Sequence, residues 1–323
     1  MPVLVTGGSG FIGTNIIERY LQRGDEVLNL DIVKPRNPKH DKFWEKVDIV
    51  NAPVLRKKLN NFKPELVFHM AARTDLEGDS IDDYRANTDG VKNLIDALFD
   101  IPETKRVIFA SSRLVCRIGY EPKGDFDYCP STVYGQSKVI GEKIVHSYDE
   151  LPFDWLIVRP TSIWGPWFDV PYKDFFSHVL GSKYFHPGNE KIYKSFGYIG
   201  NTIHELEKLM YAKKETVNKS LFYLADYPPI EVYKMAQAIR SEVGLSKQKR
   251  VPLWVLIFLA HVGDGLKKLG WKSPPLTSFR LSNLLTQMVF KLDPLEKIVG
   301  VLPYDMERGV SETIAWMKEQ NKN

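Results

Sequence analysis

Apolar and polar positions over the first 160 residues fall into two recurring patterns. Short unbroken apolar runs at residues 3–6, Leu66–His69, Arg106–Ala110 and 155–158 read as buried strands, with Glu26–Asp31 as a further strand. Between them apolar side chains recur at helical spacing. Ile12, Ile16, Ile17 and Tyr20 line one side of a helix expected over 11–23, which Gly24 is placed to end. Helices are also expected over 84–99, with Leu94, Ile95 and Leu98 on the apolar side, and over 133–148. Strands alternating with helices predict a doubly wound α/β fold: a parallel sheet covered on both faces. In such sheets ligands sit beyond the carboxyl ends of the strands.

The pattern changes after Gly165 and Pro166. Prolines and aromatics become dense, with Trp164, Trp167, Phe168, Tyr172, Phe175, Phe176, Tyr184 and Phe185, and a smaller, less regular domain is expected. A strand at Ser220–Leu224 and a helix at 202–211 are candidates to rejoin the sheet. The expected division is therefore 1–165, with later segments near 195–226 rejoining it, and a second domain drawn mainly from 166–323.

Composition narrows the function only a little. The 323 residues are 43% apolar and 26% charged, ordinary for a globular protein. The net charge of +4 suits an anionic small molecule and falls short of a nucleic-acid binder's basic footprint. Cys116 and Cys129 form neither a metal spacing nor a disulfide framework, so a reducing, cytoplasmic setting is expected. A strand starting at Val3 leaves no room for a signal peptide. The apolar run 251–262 follows Lys247, Lys249 and Arg250. It is too short to span a bilayer and is expected to pack as a helix inside the second domain, rather than lie on a membrane. His69 and His204 are expected to be structural, and no metal site is expected.

Thr6–Gly13 follows a strand and opens a helix. Gly7, Gly10 and Gly13 allow a tight turn, close approach of the backbone to a pyrophosphate, and close helix packing. Asp31 ends the second strand, where a carboxylate accepts ribose hydroxyls and repels a 2′-phosphate; this favours NAD over NADP. Lys34 and Arg36 nearby are read as solvated loop charges. Tyr134 and Lys138 stand four residues apart on one helical face. A free phenol is a poor base at neutral pH, and an adjacent ammonium favours the phenolate, so the pair fits acid/base work on an alcohol–ketone couple. Ser112, just past a strand end, is the candidate to donate to the reacting oxygen.

These residues together resemble the extended short-chain dehydrogenase/reductase family, in its NAD-dependent sugar epimerase/dehydratase branch. Beyond the glycine loop and Asp31, the resemblance rests on Asp48 and Ile49, His69–Ala72, the series Asn87, Gly90, Asn93 and Leu94, and Ser111–Ser112. It continues through Tyr134 with Lys138, Arg159–Thr161 with Gly165 and Pro166, and Asp293, Lys297, Gly300, Pro303 and Trp316. It implies a Rossmann-type NAD-binding domain and a C-terminal substrate-binding domain, with Ser112, Tyr134 and Lys138 as catalytic set. Cofactor contacts are implied at Gly7, Gly10, Phe11, Ile12, Asp31, Asp48, Ile49, Met70, Ala71, Ala72, Asn87, Tyr134 and Lys138. A homodimer built from the helices around Asp89 and Val139 is also implied.

Departures from the family pattern carry information. The family's 4,6-dehydratases place an Asp-Glu pair where this chain has Ser112 and Arg113, and an arginine cannot act as an acid at ordinary pH. Ser162 replaces an asparagine that helps hold substrate phosphates, and Cys116–Arg117 replaces a Tyr-Gly. Lys194 stands where an arginine would grip a diphosphate. Arg113, Ser162 and Lys194 are the substrate-binding candidates. The expected activity is that of a nucleotide-sugar epimerase. A nucleotide-sugar dehydrogenase or keto-reductase, or a hydroxysteroid-type dehydrogenase, would use the same catalytic residues. A dinucleotide sensor without turnover is the non-catalytic alternative, and retention of Ser112, Tyr134 and Lys138 argues against it.

Overall fold

The computed structural model describes residues 1–169, 172–271, 274 and 276–320. They divide into two units. The first comprises Met1–Ile163, Gly197–Ala225 and Lys291–Pro303, and the second Trp164–Phe196, Asp226–Phe290 and the chain from Tyr304 onward.

The first unit is built on a seven-stranded sheet. Its strands are β1 (Pro2–Thr6), β2 (Glu26–Asp31), β3 (Trp44–Lys46), β4 (Leu66–His69), β5 (Arg106–Ala110), β6 (Asp154–Pro160) and β11 (Ser220–Leu224). Their order is β11-β6-β5-β4-β1-β2-β3, and every ladder is parallel. Strand order reverses between β1 and β4, so the crevice beyond Thr6 and His69 is the place where this fold takes ligands. Central strands β1 and β4 are almost fully buried, which explains why they read as continuous apolar runs. The strand from Ser220 to Leu224 does rejoin the sheet, beside β6.

Helices α1 (Phe11–Gln22), α2 (Ala52–Phe62), α3 (Asp89–Leu98), α4 (Val133–His146), α6 (Ile199–Tyr211), α7 (Lys214–Val217) and α11 (Asp293–Val299) complete the unit. Two sequence expectations need correction. Residues 84–99 are not one helix: a 3-10 segment at Ile81–Asn87 precedes α3, and Thr88 breaks the path at φ −120° and ψ −78°. The break is fixed by Asn87, whose side chain is tied to Arg73 and Ser137. Helix α2 and strand β3 were not foreseen, because the polar run Arg56–Lys58 and the brevity of 44–46 hide their periodicity.

Two short strands, β7 (Ser162–Trp164) and β10 (Phe196–Tyr198), lie where the chain passes between the units. The second unit holds α5 (Tyr172–Leu180), α8 (Val232–Glu242), α9 (Leu253–Lys268), α10 (Ser278–Leu285) and α12 (Met306–Gln320), with the two-residue strands β8 (His186–Pro187), β9 (Tyr193–Lys194), β12 (Ile230–Glu231) and β13 (Arg250–Val251). Its aromatics cluster as the sequence pattern suggests: Phe168 packs edge-on against Phe176 and Trp316. Helix α9 departs from expectation. It buries only Leu256, Ala260 and Gly263, and leaves Trp254 and Phe258 exposed. No described helix is long and apolar enough to cross a membrane.

Candidate active site

The glycine loop joins β1 to α1. Gly7 has φ +71°, and a Cβ there would lie 2.5 Å from the Ala71 backbone nitrogen. At Gly13 a Cβ would lie 2.3 Å from the Gly7 carbonyl oxygen. The loop thus lies flat against the end of β4 and the first turn of α1, in a cradle that side chains would fill. Gly10 caps α1 without a side-chain hydrogen bond, so the positive end of the helix faces the loop with no protein oxygen from a cap. Phe11 and Ile12 begin the helix and are half-buried. This is a fitting seat for a dinucleotide's pyrophosphate.

Asp31 ends β2 next to the loop. Its carboxylate accepts from the Ser9 N–H at 3.0 Å and the Val33 N–H at 3.1 Å, which leaves acceptor positions for ribose hydroxyls. Burial lifts its pKa above the usual carboxylate range, opposed by the N–H groups of Val33, Ser9 and Ile32 and by the charge of Arg36. Arg36 is exposed in the loop after β2. Asp48 is exposed and caps its own turn through the Val50 N–H, while Ile49 is buried. Met70, Ala71 and Ala72 leave β4 half-buried beside the glycine loop.

The asparagine-glycine series on the helical side has a structural purpose. Asn93 donates to the Ile49 and Val50 carbonyls, and a Cβ at Gly90 would strike Ile49. Asn87 is buried and spends its amide on the Arg73 backbone and the Ser137 hydroxyl. It therefore positions the chain after β4 against α4. His69 is buried, with Nδ1 2.7 Å from the Thr6 hydroxyl, and burial pushes its pKa down to about 3, so it stays neutral. Among the described residues no group of three or more His, Cys, Asp or Glu could hold a metal ion.

Ser112, Tyr134 and Lys138 come together at the end of β5. Thr132 caps α4 by accepting from the Gly135 N–H, which fixes the first turn carrying Tyr134. Tyr134 is 7% exposed and its ring lies against the buried Tyr84, with centroids 6.1 Å apart. The nearby Ser112 hydroxyl accepts from the Leu114 N–H at 3.1 Å and favours the phenolate. The Ser111 hydroxyl is instead bound to Glu142. Burial pushes the phenol's pKa up; the Ser112 hydroxyl and the Arg113 charge pull it back, while Tyr84 adds to the rise.

Lys138 is buried one turn below Tyr134. Its Nζ donates to the Ala110 carbonyl at 2.9 Å, and the charge of Arg113 favours the phenolate. A shared helical face brings the two side chains side by side, yet the long lysine stem carries its charge down to the strand end. There burial lowers its pKa to about 8, with Glu142 opposing.

Sequence reasoning missed the network beneath the lysine. Glu142 accepts from Ser111, from Arg159 through Nε at 2.8 Å and a terminal nitrogen at 2.7 Å, and from the Tyr128 hydroxyl at 2.9 Å. Arg159 also reaches the Tyr223 hydroxyl and the Asp125 carbonyl. The signal was present: Glu142 is one turn beyond Lys138 and two beyond Tyr134 on the same face.

The substrate candidates fare unevenly. Arg113 stands half-buried beside Ser112. Ser162 is buried in β7. Lys194 is 8% exposed and donates to the Asn283 carbonyl at 2.9 Å, so its charge is held within the second unit. Val139 packs with Val115 and Cys116, and Tyr120 and Tyr128 lie against that cluster. Both thiols are free.

A parallel sheet with a glycine loop at its switch point, an acid after the second strand, and a Ser-Tyr-Lys set at the next strand end define a dinucleotide-dependent oxidoreductase of the extended short-chain type. Residues 3–185 match the NAD dependent epimerase/dehydratase family, and the chain belongs to it. NAD is the cofactor of this family, and the cradle described above fits it. Among relatives, a 3-beta-hydroxysteroid dehydrogenase of Mycolicibacterium neoaurum is 29% identical over 75% of this chain and 70% of its own. An N-acetyl-alpha-D-glucosaminyl-diphospho-ditrans,octacis-undecaprenol 4-epimerase of Escherichia coli O157:H7 is 24% identical over 97% and 94%. A UDP-glucose 4-epimerase of Thermotoga maritima, solved with UDP-glucose, shares the fold at a TM-score of 0.76 and 17% identity, over 99% of this chain and 100% of its own.

Proposed function

We propose that this chain is an NAD-dependent epimerase of a sugar ring, with Tyr134 as the acid/base. The observation that carries the reading is the gathering at the end of β5 of Ser112 with Tyr134 and Lys138 of α4, Tyr134 buried against Tyr84 and Lys138 bound to the Ala110 carbonyl. Ser112 donates to the reacting oxygen while Tyr134, as the phenolate, accepts the carbinol proton; the resulting phenol later returns that proton to the ketone oxygen. Lys138 holds the Ala110 carbonyl and the strand end in place. Bound NAD supplies the reversible two-electron acceptor. Gly7 and Gly10 with the start of α1 take its pyrophosphate, and Asp31 takes the adenine ribose. An epimerase ends with the redox state it began with, and relatives covering nearly the whole chain include a 4-epimerase.

A second reading is favoured by one observation. Lys194, the candidate diphosphate grip, is buried on the Asn283 carbonyl, which weakens the case for a nucleotide diphosphate and favours a hydroxysteroid-type dehydrogenase. One assay separates the two. Purified protein is given NAD with UDP-sugars or with 3β-hydroxysteroids. Sugar isomer without net NADH supports the epimerase; steadily accumulating NADH with steroid supports the dehydrogenase. Tyr134→Phe should cut either activity by about 10²–10⁴-fold with folding intact. Wild-type turnover in that variant sinks both readings.

A further inference from the structure

Helix α9 is apolar on the side it shows to water. Leu256, Ala260 and Gly263 are buried, and the helix packs on α10 with Leu281 beneath it. Trp254 is 73% exposed and Phe258 64%, with Ile257, Leu259 and Val262 also exposed. These residues recur at the three- and four-residue spacing of one helical face. The helix is seated closely on the chain beneath it at Gly263, where a Cβ would lie 1.8 Å from the Leu276 carbonyl oxygen. The close-packed side of the helix is thus the one carrying Leu256, Ala260 and Gly263, and the apolar side chains opposite it are left to water. From Leu253 to Gly263 the only ionisable side chain is His261.

Charge is arranged around this face. Residues 245–271 contain five basic side chains, Lys247, Lys249, Arg250, Lys267 and Lys268, and one acid, Asp264. Asp264 is turned to the Ser278 N–H. That excess equals the whole chain's +4, so the remaining residues are electrically balanced. The lysines sit just before and just after the apolar face and are exposed. Aromatics stand at its two ends, Trp254 at the start and Trp271, 51% exposed, just past the end; α10 adds the exposed Phe279.

We infer that this face seats the chain on the surface of an anionic phospholipid bilayer. A helix of 16 residues is about 24 Å long, short of the hydrocarbon thickness, so it lies in the interface plane. Its apolar side chains enter the acyl boundary, Trp254 and Trp271 sit at headgroup level, and the lysines meet lipid phosphates. A second copy is a poorer occupant. A two-fold contact sets a patch against itself, which would bring the basic ends into a like-charge interface. The inference does not depend on which carbinol is turned over.

The test uses the full chain with vesicles of phosphatidylcholine alone or mixed with phosphatidylglycerol. Co-sedimentation with the mixed vesicles, weakened by salt, and a blue shift of tryptophan emission are expected. Trp254→Ser with Phe258→Ser should abolish sedimentation while leaving NAD binding unchanged. Lys267→Gln and Lys268→Gln should each weaken binding to anionic vesicles by about fivefold. No sedimentation with either vesicle overturns the inference. So does a fall in oligomer size in the double variant with no vesicle binding by the parent, which would assign the face to self-association.

Discussion

Lys138 holds an ammonium where burial disfavours its charge. Its pKa is about 8 in the folded protein against an ordinary 10.5. Below pH 8 both folded and unfolded forms carry the proton, and the burial cost is fully present. Between about pH 8 and 10.5 only the unfolded form still holds it, so stability rises with pH through that window. Lys138→Met should therefore be more stable than the parent at pH 7, by about 2 kcal/mol once the lost Ala110 hydrogen bond is counted. The gain should vanish above pH 10.5, as thermal melts across pH would show, while turnover falls. Gly7→Ala is the opposite case: φ +71° and the 2.5 Å approach to Ala71 both resist a side chain. It should cost about 2 kcal/mol or more and abolish NAD binding by calorimetry. Asp31→Ser should raise NADP affinity relative to NAD by about tenfold, since the carboxylate that repels a 2′-phosphate is gone.

At the level of elements, α4 carries more than the two residues its spacing advertises. Tyr134, Lys138 and Glu142 descend one face, and the lowest neutralises Arg159 from β6 with both side chains 1% exposed. Glu142→Leu leaves that guanidinium buried and unpaired, and should destabilise by about 3–5 kcal/mol. Adding Arg159→Met should recover most of the loss, as a double-mutant cycle in urea would reveal. The central strands were legible because burial on both faces makes them apolar, and Glu26–Asp31, Leu66–His69, Arg106–Ala110 and the edge strand Ser220–Leu224 have the bounds expected. The break at Thr88 was not legible, because its cause is Asn87 reaching Ser137, 50 residues away. Local periodicity carries no record of such a partner. Likewise the direction of the Lys138 stem depends on the Ala110 carbonyl, not on its place along the helix.

For the molecule as a whole, the parallel sheet and its ligand crevice followed from alternation and the glycine loop, since both are local signals repeated in order. The exposed face of α9 did not, because an apolar run reads the same whether a neighbour covers it or not. NAD at about a hundredfold above its dissociation constant should stabilise the protein by about 2.7 kcal/mol. A thermal shift should show this for the parent and for Tyr134→Phe, and not for Gly7→Ala.

Both units are assembled from three separate stretches of one polypeptide. During synthesis the edge strand at Ser220–Leu224 cannot dock on β6 until the intervening stretch has left the ribosome, and Lys291–Pro303 arrives later still. Neither unit can be excised by a single cut, and a protease nick between Pro166 and Val301 would leave two fragments that each hold parts of both.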